Sequence, residues 1–222
     1  MGLSVHDKLV ETKSGKVGVI RANNRWTSED GKLVATDETK ISIRTVPGGR
    51  ELDFEITVHA PKNAPVIFGD TKEGTLAIRL ADWMRPPRTA VPKKGAPAQK
   101  MAGTGHIVND SGNENAETWG KRAKWVDYYA SHKGKVYGVA MFDHPKNPQY
   151  PTWWHVRDYG LFAVNPFGKH DFEPAFKDDP KAGDMVVPAG KSVTFRYRFY
   201  FHNGDEKAAG VAKRAAAFAA GK

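Results

Sequence analysis

Residues 193–202 read VTFRYRFYFH, and this stretch decides the fold class of the chain. Apolar or aromatic side chains alternate there with more polar ones, which is the period of a β-strand with one buried and one solvated face. The alternating apolar set is Val193, Phe195, Tyr197, Phe199 and Phe201. Residues 52–58, LDFEITV, repeat the pattern, so both stretches predict β-strands.

Weaker strand patterns occupy much of the remaining chain, with turn signals such as Pro47-Gly48-Gly49 between them. They cover residues 16–21, 40–45, 76–81, 123–129, 136–142 and 160–164. About eight strands with short connections predict an all-β fold, built as an antiparallel β-sandwich. An Ala-rich stretch after Asp205 predicts one short C-terminal α-helix that ends at Ala219.

The composition limits the class of protein. The chain has 222 residues, of which 40% are hydrophobic and 27% charged, and this is typical of one globular domain. It has no Cys, which excludes thiolate nucleophiles, disulfides and Cys-ligated zinc. No run approaches 18 apolar residues, so a transmembrane helix and a membrane partner are not expected.

The first ten residues, MGLSVHDKLV, lack the basic and apolar regions of a signal peptide. The location is therefore left open, and a cytoplasmic protein is one alternative. A secreted or periplasmic location is the other, if an N-terminal leader has been lost.

The formal net charge is +9, and five of the basic residues lie in residues 85–100, which contain no acid and four prolines. This composition predicts an exposed, extended loop. A basic nucleic-acid site is the alternative, but the sequence has no zinc-finger spacing and no aromatic ribonucleoprotein signature. No nucleic-acid partner is therefore predicted.

One cluster of polar residues precedes a predicted strand, and a second lies on one. Asp70 and Glu73 flank a turn and could act as acid and base or bind a hard cation, with Arg79 on the strand that follows. A simple charged β-turn is the alternative. Trp125 and Asp127 share one strand face, where a ring can stack on a sugar while the carboxylate accepts from its hydroxyls. The alternative is a strand whose aromatic residues serve the core.

Two further clusters contain histidine, the side chain best suited to exchange protons near neutral pH. Residues 142–148 read FDHPKNP, in which Asp143 either takes part in chemistry with His144 or only orients it. Residues 151–160 read PTWWHVRDYG, and on an extended chain His155 and Arg157 face the same side. A buried Arg–Asp pair beside a core Trp is the alternative reading of this second string.

The histidines also permit a metal hypothesis. His144, His155 and one of Asp143, Asp158 or Asp70 could form a facial triad for iron, if the fold brought them together. The sequence does not set that proximity, and it contains no His-Glu-x-x-His, no Gly-x-Ser-x-Gly and no phosphate-binding glycine loop. Neither a metal nor a cofactor is therefore assigned.

Four strings in the order 68–74, 119–127, 142–147 and 154–168 together resemble a bacterial family labelled methane oxygenase PmoA, a domain of unknown function. The resemblance covers nearly the whole chain. It implies a carbohydrate context, since that family is associated with bacteria that degrade polysaccharides. It also implies a further N-terminal part with a His-His-x-Gly motif. This sequence does not match that part, so we expect one domain over residues 1–222 and leave open whether an N-terminal part is missing.

These observations lead to two hypotheses of different class. The first is an enzyme acting on a sugar, as hydrolase, lyase or epimerase, within a sandwich that is analogous to that of sugar mutarotases. Its candidate catalytic residues are His155, His144, Asp158, Asp70 and Glu73, and its candidate substrate-binding residues are Arg157, Arg122, Arg79, Trp125, Trp154, Asn147 and Asp127. The second is a non-catalytic carbohydrate-binding or structural β-sandwich. A metal-dependent oxygenase is a weaker third. In the first two cases the expected partner is a carbohydrate or another small polar ligand, and the oligomeric state is left open.

Overall fold

The computed structural model describes residues 2–74, 76–90 and 99–221. Eight strands form one large antiparallel sheet. In chain order they are β1 (Leu3–Lys13), β2 (Gly18–Thr27), β3 (Leu33–Val46), β4 (Gly49–His59), β9 (Gly105–Asn109), β10 (Trp125–His132), β11 (Lys135–Asp143) and β15 (Ser192–Asn203). Their spatial order is β1-β2-β3-β4-β15-β11-β10-β9.

Shorter elements form a second layer. Three of them, β12 (Trp153–Val156), β13 (Leu161–Asn165) and β6 (Leu76–Arg79), make a small sheet in the order β12-β13-β6. The other short strands are β5 (Val66–Phe68), β7 (Arg88–Ala90), β8 (Gln99–Met101) and β14 (Met185–Val187), which pair as β14-β5 and β7-β8. The helices are α1 (Lys169–Phe172), α2 (Val211–Ala219) and three 3-10 turns at Asp82–Met84, Asn115–Thr118 and Pro174–Phe176.

The main core lies between the large sheet and the second layer. Phe195, Tyr197 and Phe199 project from β15 into it, and Trp154 and Phe162 meet them from the small sheet. Burial of such rings stabilises a fold by about 1.5–3 kcal/mol for each fully buried side chain, so this layer of aromatics holds the two sheets together. The prediction of an all-β antiparallel sandwich is confirmed, and the strand over 193–202 has the predicted inward face.

Helix α2 covers part of the opposite face of the large sheet, which we call the outer face. Its apolar residues pack on Phe142 and Tyr200 there, so the predicted C-terminal helix is confirmed. The helix begins at Val211, later than the sequence suggested. Asp205 instead accepts backbone hydrogen bonds in a preceding turn. Gly210, at φ +66°, separates that turn from the helix.

An ionic network on the outer face joins the sheet to α2. Glu51 is buried and accepts from Arg44 at 2.7 Å and from Arg214 of α2 at 3.0 Å. Asp53 accepts from Arg198 and Arg44. Because the carboxylates are shared among several guanidinium groups, the network fixes the position of the helix on the sheet.

Strands β1 and β2 extend the large sheet beyond the sandwich, and β1 is exposed along almost all of its length. The neighbouring β3 is anchored by Asp37, a buried carboxylate that accepts hydrogen bonds from Asn24, Trp26 and Thr39. Three donors satisfy this carboxylate without a cation. It therefore ties β2 to β3 at the point where the sheet leaves the core.

The predicted loop over residues 85–100 lies partly outside the described residues, since 91–98 are not described. Its two ends pair as strands β7 and β8. Across the described ranges, no helix is long and apolar enough to cross a membrane.

Candidate functional site

A cleft of about 530 Å³ opens on the inner face of the large sheet, at one end of the sandwich. Its floor comes from β15 and β11, where Phe201 lies directly opposite Val139. One residue pair deeper, Phe199 and Met141 are already buried in the core. The cleft is therefore the continuation of the core-facing surface beyond the edge of the second layer.

Three aromatic rings line this cleft and remain partly open to solvent. Phe201 is 40% exposed, Tyr137 36% and Trp83 37%. Trp83 comes from the 3-10 turn Asp82–Met84, and its ring meets the edge of Tyr137 with 6.2 Å between centroids. Phe201 stacks on Phe199. Contiguous aromatic surface of this kind, held by rigid strands, is typical of a ligand-binding site.

The polar groups of the cleft are basic or neutral. Arg50 lies opposite Phe201 in the β4–β15 ladder, so its side chain shares the inner face with that ring. His132 stacks on Trp83 with 4.6 Å between ring centroids, on the β10 side. The described residues that line the cleft include no Asp and no Glu. We call this arrangement the aromatic cleft.

His155 lies in a different place, on the outward side of the small sheet. Its Nδ1 donates to the backbone oxygen of Lys72 at 2.6 Å, which leaves Nε2 as the basic nitrogen of the neutral ring. The ring is nearly buried against the edges of Trp119 and Phe172. The Arg157 guanidinium lies 5.6 Å from the Trp119 ring. The structure thus places His155 and Arg157 around one tryptophan, and His155 has no carboxylate contact among the described residues.

Three other predicted residues lie near His155 and Arg157 but make different contacts. Trp154 points inward, is fully buried and donates its indole N–H to the backbone oxygen of Ala123, so a ligand outside the sandwich does not reach this ring. Arg79 stacks on Tyr159 at 5.2 Å, on the exposed surface. Burial is the main cause of the raised pKa of the Tyr128 hydroxyl, and the nearby carboxylate of Asp158 raises this pKa further.

The turn that carries Asp70 and Glu73 positions His155 through its backbone. Asp70 uses one carboxylate oxygen to accept from the backbone N–H groups of His170 and Gly183. It therefore ties three loops together rather than facing the histidine. Glu73 donates its own backbone N–H to the hydroxyl of Thr71, on the exposed part of the turn.

Asp143, His144 and Asn147 fasten the end of β11. Asp143 accepts from Asn147 at 2.8 Å and from the backbone N–H of Thr152. Burial raises the pKa of Asp143 to about 7, although these hydrogen bonds oppose the change. Asn147 in turn bonds the backbone N–H and C=O of Arg196. The three residues thereby link β11, the following loop and β15.

His144 and His155 do not meet. The ring of His144 lies on the outer face of the large sheet, edge-on to Phe218 of α2, whereas His155 faces away from the core on the opposite layer. Burial, followed by nearby cations such as Arg196, lowers the pKa of His144. Among the residues that the structure describes, no group of three His, Asp or Glu side chains could hold a metal ion.

Three predicted residues remain. Arg122 precedes β10, whereas Trp125 and Asp127 lie on β10 and face outward. Arg122 stacks on Trp153 at 4.5 Å and donates to two backbone oxygens of the 149–151 segment. Trp125 is half-buried against the cluster formed with α2. Asp127 is fully buried and bonds Nε2 of His202 at 2.9 Å. Burial raises the pKa of this carboxyl group, and the His202 hydrogen bond opposes the change.

Sequence reasoning missed the residues of the aromatic cleft. Phe201 and Tyr137 had a signal, because each is an aromatic residue near the end of a predicted strand, beyond the reach of the short strands that cover the core. The sequence carried no such signal for Trp83, His132 or Arg50. They come from a turn and from two strand ends that only tertiary structure brings together.

Residues 1–216 match a family described as "Family of unknown function (DUF6807)". The resemblance to a family labelled methane oxygenase PmoA is therefore wrong, since the family that matches nearly the whole chain is one of unknown function. Comparison with curated proteins found no match.

Solved structures with some similarity include a galactose mutarotase-like protein from Lactobacillus casei ATCC 334. It is 12% identical with a TM-score of 0.40, and the match covers 88% of this chain and 72% of that chain. A galactose mutarotase related enzyme from Lactobacillus acidophilus is also 12% identical, with a TM-score of 0.34 and coverage of 89% and 71%. These likenesses are low, and the description of the present fold rests on its own strands.

Proposed function

The chain belongs to a family of unknown function, DUF6807, and from the aromatic cleft we propose that it binds a carbohydrate. The observation that supports this function is the set of three partly exposed rings around one cavity. Sugar rings present C–H faces that pack on aromatic rings, while their hydroxyls need hydrogen-bonding groups at the rim. Arg50, His132 and Asn203 supply such groups.

The size of the cleft supports a small ligand. Its volume of about 530 Å³ lies in the range of about 300–1,000 Å³ that small-molecule sites occupy. A large apolar surface that is left open costs free energy in water, and a ligand that covers it recovers about 25 cal/mol for each Å² buried. A ligand that covers the open rings therefore gains binding free energy by removing them from water.

The cleft supports binding better than glycoside hydrolysis. Hydrolysis of a glycosidic bond ordinarily needs two carboxyl groups about 5–10 Å apart across the bond. The described lining of the cleft supplies neither. The non-catalytic carbohydrate-binding sandwich is thus the function that we favour.

A sugar-directed proton-transfer activity is our second proposal, and His155 supports it. The hydrogen bond to Lys72 leaves Nε2 of His155 free to accept a proton, and Arg157 lies nearby around Trp119. This enzyme would use the outward side of the small sheet rather than the cleft. Time-resolved NMR of a sugar with the protein should then show product signals that a His155→Gln variant does not produce.

The binding proposal is tested by saturation-transfer NMR against neutral and acidic mono- and disaccharides. Phe201→Ala and Tyr137→Ala should each weaken binding at least about tenfold, the effect expected for an aromatic ring at the centre of an interface. Val186→Ala is the matched control, since that side chain is 56% exposed on β14, outside the cleft. Absence of any sugar signal, or binding that survives both aromatic substitutions, overturns the proposal.

A further inference from the structure

We infer that the carbohydrate bound in the aromatic cleft carries a carboxylate, as a uronic acid does, and that Arg50 binds this group. The inference rests on the proposed function and adds the substrate class to it. It starts from the distribution of charge over the two faces of the large sheet.

Arginines on the outer face of β3 and β15 are paired. Arg44, Arg196 and Arg198 each contact a carboxylate of Glu51, Asp53 or Glu55. These acids come from β4, the strand that also carries Arg50. The sheet therefore neutralises its guanidinium groups wherever they face outward.

Arg50 is the exception because it faces inward. It sits opposite Phe201 in the β4–β15 ladder and opposite Thr45 in the β3–β4 ladder, and neither neighbour is an acid. Within the described part of the chain, Arg50 makes no ion pair, and no acid lines the cleft. The N–H groups of the Arg50 guanidinium are thus available to a ligand beside the aromatic rings.

The chemistry of this corner selects the ligand. A guanidinium group matches a carboxylate with two parallel hydrogen bonds, and charge-assisted bonds are about twice as strong as neutral ones. The adjoining ring of Phe201 offers a stacking surface for the apolar face of the same molecule. A pyranose that bears a carboxylate satisfies both groups at once, whereas a neutral sugar leaves the charge of Arg50 to water.

The opposite wall adds a second donor. His132 rests on Trp83, and the N–H of its ring can donate to a ligand oxygen. The cleft thus carries donors at both rims and aromatic rings between them, which orients an acidic sugar with its carboxylate toward β4.

The test measures dissociation constants for matched pairs, glucuronate with glucose and galacturonate with galactose, by NMR titration or calorimetry at low salt. We expect each uronate to bind at least about tenfold more tightly than its neutral partner. Arg50→Gln should remove that advantage, so that the two members of each pair bind with about equal affinity. Added salt should weaken uronate binding and leave neutral binding unchanged.

Two controls make the result specific. Arg25→Gln removes the same charge from an exposed position on β2, so it should leave uronate binding unchanged if Arg50 acts by contact. Phe201→Ala should weaken both members of each pair. Thermal unfolding of each variant verifies that it is folded.

The outcomes separate the two proposals. If neither acidic nor neutral sugars bind, the proposed function fails. If both members of a pair bind equally and both depend on Phe201, the proposed function holds and the carboxylate inference is overturned. Tighter binding of a sugar phosphate than of any uronate also overturns it.

Discussion

Substitution of Gly138 by Ala should destabilise the protein strongly, although Gly138 lies inside strand β11 with an ordinary backbone conformation. Intrinsic strand propensity predicts instead that the substitution stabilises the protein, because Gly in a strand is roughly 0.5–1 kcal/mol less favourable than Ala. The structural reason is the close approach of His202. A Cβ at position 138 would lie 2.5 Å from Nε2 of His202 and closer still to its Cε1.

The magnitude follows from the pair that the new methyl group disturbs. Normal contact requires about 3.5 Å, so the imidazole must move by roughly 1 Å. The hydrogen bond between His202 and Asp127 is 2.9 Å long, and a shift of that size breaks it. Both side chains are fully buried. Leaving a buried polar group without its hydrogen bond costs about 1–3 kcal/mol, and overpacking adds about 1–3 kcal/mol, so we expect Gly138→Ala to cost at least about 2 kcal/mol.

The assay is a double-mutant cycle followed by urea denaturation. It compares wild type, Gly138→Ala, His202→Ala and the double variant. With the imidazole removed, the methyl group meets mainly the Cβ of Tyr129 at 3.0 Å, and its cost should fall below about 1 kcal/mol. A Gly138→Ala variant as stable as wild type, or an equal cost in both backgrounds, would refute this reasoning.

Three further predictions concern carboxylates that each accept several hydrogen bonds. The folded protein holds the proton of Asp143 up to about pH 7, whereas the unfolded chain releases it near pH 3.8, so wild type loses stability between those values. The stability of Asp143→Asn relative to wild type should therefore increase from pH 4.5 to pH 8, by at most about 4 kcal/mol, and a difference that is constant with pH contradicts this assignment. Asp70→Ala should cost about 2–3 kcal/mol and speed proteolysis of the joined loops, since two backbone donors lose their acceptor. Asp37→Ala should cost about 2–4 kcal/mol in denaturation experiments, because three donors are left unpaired; a cost under 1 kcal/mol would show that water replaces the carboxylate.

The sandwich could be predicted because its central strands carry their own periodicity. In β15, the alternation from Val193 to Phe201 distinguishes the core side from the polar side without reference to any other strand. β1 had no such signal, since its side chains are exposed on both faces and their pattern is not constrained by a core. The start of α2 was misplaced because Asp205 caps a separate turn, and only the left-handed Gly210 divides the two.

The candidate site was harder to predict because polar density is ambiguous. The motif residues Asp70, Asp143 and Asn147 are dense in polar contacts, yet these contacts join loops to strands. The same residue types would have suited acid–base chemistry, and sequence alone does not tell which partners they meet. The open rings of the aromatic cleft depend on where the second layer ends, which is a property of tertiary packing.

The extension of the large sheet beyond the sandwich has a consequence for the motions of the folded protein. Strand β1 buries almost no side-chain surface, and its pairing with β2 depends on backbone hydrogen bonds that face water. Hydrogen–deuterium exchange in β1 should therefore proceed by local opening that is insensitive to low denaturant, while the amides of β11 and β15 exchange only through global unfolding. We therefore expect the edge strand β1 to open locally while the rest of the sandwich stays folded.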